Sequence, residues 1–244
     1  MSRQLTVLGS GGAWPEAGRA CAGFLLEYDG FKVVLDLGYA TLPRLLEYCP
    51  LGAVDAVIVT HQHPDHCVDV SALARVRHYE ATEAAPIPLY CPPGVVDVLR
   101  ALEPRPDPAT VFDVRDLAAS TEVGPFRLGS VHLPHYVTNL GVRLEAPDLI
   151  VAYTGDSGPT GVLRALAKDA DLYISDATLQ GPPPETTPRY IMTAGEAATY
   201  ASGAKRLLLT HFWPGSDRAI SVAEAGEIFD GEVLAAEEGL VIAL

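Results

Sequence analysis

The sequence predicts an α/β fold built on mixed sheets, and three observations lead there. Short apolar runs rich in β-formers recur along the whole chain, helix-like stretches fall between many of them, and the earliest strands pair as a hairpin whereas later ones alternate with helices. The strand-like runs are Leu5 to Leu8, Phe24 to Tyr28, Lys32 to Asp36, Ala56 to Val59, Ile87 to Cys91, Phe126 to Leu133, Leu140 to Leu144, Leu149 to Thr154, Leu172 to Ser175, Leu207 to Thr210, Val233 to Ala235 and Leu240 to Ala243. Asp29-Gly30 separates the second from the third, a pair that accepts the backbone of a tight hairpin turn.

Helical patterning places helices at Leu42 to Tyr48, Val68 to His78, Val95 to Leu102, Val162 to Lys168, Ala194 to Ser202 and Val222 to Phe229. Thr193 with Glu196, and Ser221 with Glu224, have the spacing of a capping box, in which hydroxyl and carboxylate satisfy amides left free at a helix start. Glu103 to Pro108 and Gly181 to Pro188 are proline-rich and predict surface loops, because proline removes donors and holds the backbone extended.

At 244 residues, 48% hydrophobic and 20% charged, with no linker-like stretch, the chain is expected to fold as one domain over residues 1–244. Its 17 basic against 31 acidic residues give a formal charge of -14, so nucleic acid meets net repulsion and a small-molecule substrate is favoured. Met1 to Gly12 lack the basic start and apolar core of a secretory signal, and no later apolar run approaches membrane-spanning length; a cytoplasmic protein without membrane contact is expected. Cys21, Cys49, Cys67 and Cys91 are scattered without a C-x-x-C pair and read as free, buried thiols.

The chemistry concentrates in Thr60-His61-Gln62-His63-Pro64-Asp65-His66, directly after the strand Ala56 to Val59. Three histidines and a carboxylate this close, with Pro64 breaking any regular strand, predict a loop wrapped around metal. One ion cannot use all four comfortably, so His61 and His63 would point to one ion while Asp65 and His66 turn to a second. Such a site needs further ligands at other strand ends. His135 follows Phe126 to Leu133, Asp156 follows Leu149 to Thr154, and His211 follows Leu207 to Thr210. His135 is preferred over His132, which lies inside the strand pattern, and His78, at the end of a predicted helix, reads as offsetting the helix dipole or as simply solvated. Gly155-Asp156-Ser157-Gly158-Pro159 has the look of a serine-protease nucleophile segment, but the cytoplasmic, helix-bearing character of the chain disfavours that reading. Gly9 to Gly12 fails as a dinucleotide loop because Trp14 takes the third glycine place.

The T-H-x-H-x-D-H run, the later His135, Gly155-Asp156-Ser157 and Leu209-Thr210-His211 resemble the metallo-β-lactamase-fold hydrolases over nearly the whole chain. Leu8-Gly9-Ser10-Gly11-Gly12, Leu35-Asp36-Leu37-Gly38 and Leu208-Leu209-Thr210-His211-Phe212 are most similar to the ribonuclease Z-like branch, whose bacterial members include atypical cyclic nucleotide phosphodiesterases. The resemblance implies a four-layer αβ/βα sandwich with the site at one edge. It also implies that His61, His63 and His135 hold one divalent metal ion, that Asp65, His66 and His211 hold the other, and that Asp156 bridges them. Asp36 would orient a ligand imidazole. Homodimers are common in the family.

Two departures from ribonuclease Z bear on substrate. Its long tRNA-grasping arm lies between the positions of His135 and Asp156, where this chain has only 20 residues. Ile191 stands where that enzyme has a histidine, and Ser175-Asp176 replaces its histidine-glutamate pair. The expectation is therefore a small, cyclic-nucleotide-like phosphodiester cleaved by a metal-bridging hydroxide, rather than tRNA 3′ processing. A lactonase or thioesterase is the alternative, and a non-catalytic metal-binding protein a third. Imidazole and carboxylate ligands suit zinc first, with manganese and iron as alternatives. Asp65 is the candidate to accept a proton from the water and Asp176 the candidate to donate one to the leaving group. Tyr136 to Asn139, Ser157 to Thr160, Gly181 to Pro188 and Phe212-Trp213-Pro214 are expected to line the pocket.

Overall fold

The strands form two seven-stranded sheets, one from the second half of the chain and one from the first half completed by the last strand. The computed structural model describes residues 3–81 and 83–244; Met1 and Ser2, on which the absence of a leader was partly read, lie outside the described residues, as does Thr82. The first half contributes β1 (Arg3–Gly9), β2 (Gly23–Tyr28), β3 (Phe31–Leu37), β4 (Ala56–Ile58), β5 (Ile87–Cys91) and β6 (Phe112–Asp116). The second contributes β7 (Glu122–Val123), β8 (Phe126–Leu133), β9 (Asn139–Ala146), β10 (Leu149–Tyr153), β11 (Leu172–Asp176), β12 (Arg206–Thr210) and β13 (Glu232–Ala235), after which β14 (Val241–Ala243) pairs with β1. The strand orders are β14-β1-β2-β3-β4-β5-β6 and β13-β12-β11-β10-β9-β8-β7. Both sheets are mixed, as the sequence predicts: β1 to β3 are antiparallel and β3 to β6 parallel, while β7 to β10 are antiparallel and β10 to β13 parallel.

Alternation of side chains across each strand produces the layers. Phe24 and Leu26 of β2, Leu35 of β3 and Ile58 of β4 meet Leu128, Val142, Leu144 and Val151 of the second sheet in one core. Leu25, Val34 and Val57 face the other way, under α1 (Leu42–Tyr48), α2 (Pro64–Glu80) and α3 (Val95–Leu102). Beyond the short α4 (Pro108–Val111), helices α5 (Val162–Ala167), α6 (Ala194–Tyr200) and α7 (Arg218–Gly226) cover the outer face of the second sheet, and Leu163, Ala197 and Ala225 join its core. Burial on both faces is why the central strands read as continuous apolar runs. Phe24 and Tyr153 meet edge to face at 5.3 Å across the two sheets, a contact of about 0.5–1.5 kcal/mol beyond the area it buries.

The local signals held where they were strongest and failed in identifiable places. The Thr193–Glu196 capping box is formed at α6. The Ser221–Glu224 box is not: Asp217 caps α7 by accepting from Ala219 N at 2.9 Å, and the buried Ser221 hydroxyl lies inside the helix, where it accepts from Gln180 Nε2 at 2.9 Å. An aspartate one turn earlier supplies the same acceptor, so the helix begins there. Helix α2 starts at Pro64, not Val68, because proline at the first helical position needs no amide partner and its fixed φ suits the helix. Strand β6 was not foreseen; Asp113, Arg115 and Asp116 make it polar, as suits an exposed sheet edge. All four cysteines are free and buried. Among the described residues, no helix is long and apolar enough to cross a membrane.

The two sheets bring their carboxyl ends to one rim. At β3, Phe24 pairs with Leu35 and Gly23 with Leu37, so Asp36 is the extra residue of a β-bulge, at φ 54. Two residues on, Gly38 passes so close to the first turn of α2 that an added Cβ would lie 1.8 Å from the Asp65 carbonyl oxygen. Gly38→Ala is therefore expected to lower stability by about 1–3 kcal/mol, measured by denaturant unfolding; unchanged stability would contradict this packing.

Candidate metal centre

Every predicted ligand lies at that rim, just beyond a strand end or on the first turn of α2. His61 and His63 follow β4, while Asp65 and His66 occupy the opening turn of α2, a helix and not the wrapped loop that Pro64 suggested. His135 follows β8, Asp156 follows β10 and His211 follows β12. Gly155 at φ 58 and His211 at φ 59 turn the chain sharply at two of these ends. A left-handed backbone costs a residue other than glycine roughly 1 kcal/mol or more, and such strain collects at functional sites. His132 and His78 are exposed and take no part.

The ligand atoms form two groups, His61, His63, His135 and Asp156, and Asp65, His66, Asp156 and His211, with the atoms of each group within 4.8 Å of one another. In the first, His61 Nε2 and His135 Nε2 lie 3.1 and 3.0 Å from His63 Nδ1, and Asp156 Oδ2 lies 3.8 and 3.6 Å from His61 and His135. In the second, Asp156 Oδ1 is 3.1 Å from both His66 Nε2 and His211 Nε2, and Asp65 Oδ2 is 3.3 Å from His211 Nε2. Asp156 thus offers one oxygen to each group. Atoms held about 2.0–2.2 Å from a shared cation stand roughly 3–3.6 Å apart, so these spacings fit divalent metal. Two further atoms point the same way: among the described residues, neither the buried His66 Nε2 nor the buried Asp156 Oδ1 makes a hydrogen bond. A cation between them would satisfy both.

The far nitrogens are anchored, which fixes ring orientation. His66 Nδ1 donates to Asp36 Oδ2 at 2.7 Å, and His135 Nδ1 to the Tyr190 carbonyl at 3.0 Å. His61 Nδ1 meets Thr60 Oγ1 at 3.0 Å, and that hydroxyl donates to Asp36 at 2.8 Å. His211 Nδ1 meets Thr178 Oγ1 at 2.7 Å, and that hydroxyl donates to Asp176 at 2.6 Å. The same imidazole–hydroxyl–carboxylate relay therefore stands once behind each group. Tyr153 also donates to Asp36, at 2.8 Å.

Asp176 is thereby placed differently from the sequence expectation. It is fully buried behind His211, 4.0 Å from its Nδ1, and its oxygens accept from Thr178 and from the Ser157 amide. It cannot reach a leaving group and instead positions His211, although burial does raise its carboxyl to about 7. Asp65 is at the rim: Oδ2 accepts from Ala13 N at 2.8 Å, and no hydrogen bond among the described residues engages Oδ1. The Ser157 hydroxyl donates to the Gly158 carbonyl at 2.7 Å, and among the described residues no histidine hydrogen-bonds to it. Cys67 is turned to the Gln62 carbonyl. Of the expected lining, Asn139 is buried and Gly181 to Pro188 is exposed, whereas Tyr190 reaches the centre through its carbonyl.

Electrostatics divides the two groups. Burial holds His61 well below its ordinary range, helped by the neighbouring His66, and burial lowers His63 and His135 too. These rings are neutral, with free lone pairs. Burial opposes protonation of His66 and His211 as well, but Asp156 leads the carboxylates that outweigh it, raising His66 far up and His211 to about 9. Conversely, His211 and His66 overcome burial to hold Asp156 well below the carboxylate range. The carboxylates around the second group thus favour positive charge there.

Sequence reasoning missed Thr60, Thr178, Tyr153 and the Tyr190 carbonyl. The threonines adjoin strand ends that carry an aspartate or a histidine, and that adjacency is a usable signal; a main-chain carbonyl leaves none.

Comparison with known proteins agrees with this geometry. The Beta-lactamase superfamily domain matches residues 20–212. YhfI of Bacillus subtilis, named a probable metallo-hydrolase, is 29% identical over 98% of each chain, and its crystal structure superposes with a TM-score of 0.88 at 28% identity over 99% of each chain. A ribonuclease Z of Halorubrum lacusprofundi is 26% identical over 99% of this chain and 97% of its own. The human short-form tRNase Z structure has a TM-score of 0.78 at 25% identity, covering 98% of both chains.

Two outcomes are expected. Asp36→Asn, which weakens the anchor of His66 and of the Thr60 relay, lowers metal affinity roughly 10- to 100-fold, read by competition with a chelating dye; unaltered affinity would deny Asp36 that role. Because His211 keeps its proton to about 9, a cation must displace it, so zinc affinity rises from pH 7 toward pH 9. Calorimetry in buffers of different ionisation heat should register proton release at pH 7, and proton-neutral binding would contradict the assignment.

Proposed function

Because the chain belongs to the beta-lactamase superfamily, with the ligand geometry of a metal-dependent hydrolase, we propose that it is a dinuclear zinc phosphodiesterase acting on a small substrate. The observation that carries this reading is Asp156, whose two oxygens face two separate ligand groups. Bound there, two divalent cations supply Lewis acidity and lower the pKa of water from about 15.7 toward neutrality. Imidazole and carboxylate donors without thiolate favour zinc over a soft-metal site.

The chain's own residues divide the remaining work. His61, His63 and His135 present neutral nitrogens, while Asp65, His66 and His211 complete the second group. The relays through Thr60 and Thr178 hold two of the rings so that little rearrangement is needed on binding. Asp65, ionised and with Oδ1 free, is placed to accept the proton of the attacking water. Phosphorus rather than carbon is favoured because two of the similar proteins are ribonuclease Z and tRNase Z, whose substrates are phosphodiesters. Macromolecular RNA is disfavoured by the formal charge of -14.

Zinc-loaded protein should hydrolyse bis(p-nitrophenyl) phosphate, and a chelator should abolish the activity. Asp156→Ala should remove it, with a loss of roughly 10³-fold or more, and lower the bound zinc below two per chain. Cyclic AMP, a lactone and an acyl thioester assayed alongside decide the class; turnover of the carbon esters alone would overturn the phosphodiesterase reading.

A further inference from the structure

The chain has only two tryptophans, and both stand half exposed beside the second ligand group. Trp14 is 48% and Trp213 45% exposed, and their rings meet edge to face at 5.1 Å. Large aromatic rings usually bury most of their surface, so a paired, uncovered couple marks a contact surface.

The backbone that carries both indoles is tied to the ligand residues. Gly12 N donates to the Phe212 carbonyl at 2.9 Å and Trp14 N to the Gly12 carbonyl at 2.8 Å. Between them, Ala13 takes a left-handed φ of 63 and gives its amide to Asp65 Oδ2. Gly12 lies against the His211 ring, where an added Cβ would be 2.6 Å from Cε1. On the other strand end, Phe212 follows His211 into the core under the Arg218 guanidinium, leaving Trp213 as the exposed neighbour. Trp14 and Trp213 therefore project from segments fixed to Asp65 and His211, while Tyr136 and Tyr190, ring centroids 4.3 Å apart, flank His135 of the first group.

We propose that Trp14 and Trp213 form a stacking platform for a planar heteroaromatic ring, a nucleobase, on one arm of the substrate phosphodiester. The proposal rests on the phosphodiesterase reading for the phosphate and adds what recognises the organic arm. In an edge-to-face pair one ring turns its edge to its partner, and flat indole surface stays open for a flat ligand. Bases stack on such surfaces without regard to sequence. An acyl chain would be better served by an enclosed aliphatic channel.

The test reads binding rather than turnover. Tryptophan fluorescence of the zinc-loaded protein comes from this pair alone, so it reports occupancy directly. Adenosine 5′-monophosphate should quench it saturably and bind roughly 5- to 100-fold tighter than ribose 5-phosphate, which lacks only the base. Trp14→Ala and Trp213→Ala, at exposed positions that leave the core intact, should each erase most of that preference in a calorimetric titration, with zinc content and ribose 5-phosphate affinity unchanged. Absence of quenching, equal affinity for the two phosphates, a preference that survives both substitutions, or tighter binding of octyl phosphate would each overturn the platform. Failure of the phosphodiesterase reading would show separately, as no turnover of bis(p-nitrophenyl) phosphate by protein that still binds the nucleotide through its base.

Discussion

Asp36 is the point at which the two sheets, the first helix of the site and the ligand shell are tied together. One fully buried carboxylate accepts the Thr60 amide, the Thr60 hydroxyl, the His66 imidazole and the Tyr153 phenol. These donors come from the loop after β4, from α2 and from β10 of the opposite sheet. Hydrogen bonds to a charged group contribute about 1.5–3 kcal/mol each when made, and an unpaired buried carboxylate would be strongly unfavourable. The arrangement is therefore close to all or none. Its position follows from the β3 bulge, which turns Asp36 out of the strand alternation and toward the rim.

The second half of the chain repeats the solution. Asp176 ends β11, takes the Thr178 amide and hydroxyl, and through that hydroxyl sets the His211 ring. Thus each sheet brings a buried carboxylate, a threonine and an anchored imidazole to the common edge. Between them stands Asp156, with an oxygen to each side. Asp156 and the neighbouring carboxylates concentrate negative charge around His66 and His211 and raise both imidazoles above their ordinary range. A pair of divalent cations held there would meet the same negative charge.

How much of this was legible depended on how local the signal was. The T-H-x-H-x-D-H run announced metal because four donors crowd one short segment, and His135, Asp156 and His211 were found because each follows an apolar strand. The Thr193 cap was equally local and held. The Ser221 cap had the same spacing and failed, because an earlier aspartate competes for the same helix end and spacing alone cannot rank them. Asp176 is expected to donate a proton because a carboxyl close to other carboxylates can keep one near neutral pH, whereas it stands behind a ligand, its environment set by Thr178 and by the His211 ring packed in front of it. The tryptophan pair was hidden for a similar reason: Trp14 entered only as the residue spoiling a glycine motif, nearly two hundred positions from its partner.

The sequence by itself determined which side chains can ligate, the mixed strand and helix order that carries them, and the acidic surface, since these follow from residue type, periodicity and contiguity. Tertiary structure decided which nitrogen of each ring faces inward, that Asp156 spans both groups, that Asp176 stands behind a ligand, and that two distant tryptophans share an edge of the site. Those are matters of register, twist and left-handed turns at strand ends, which bring together residues that no stretch of chain holds in common.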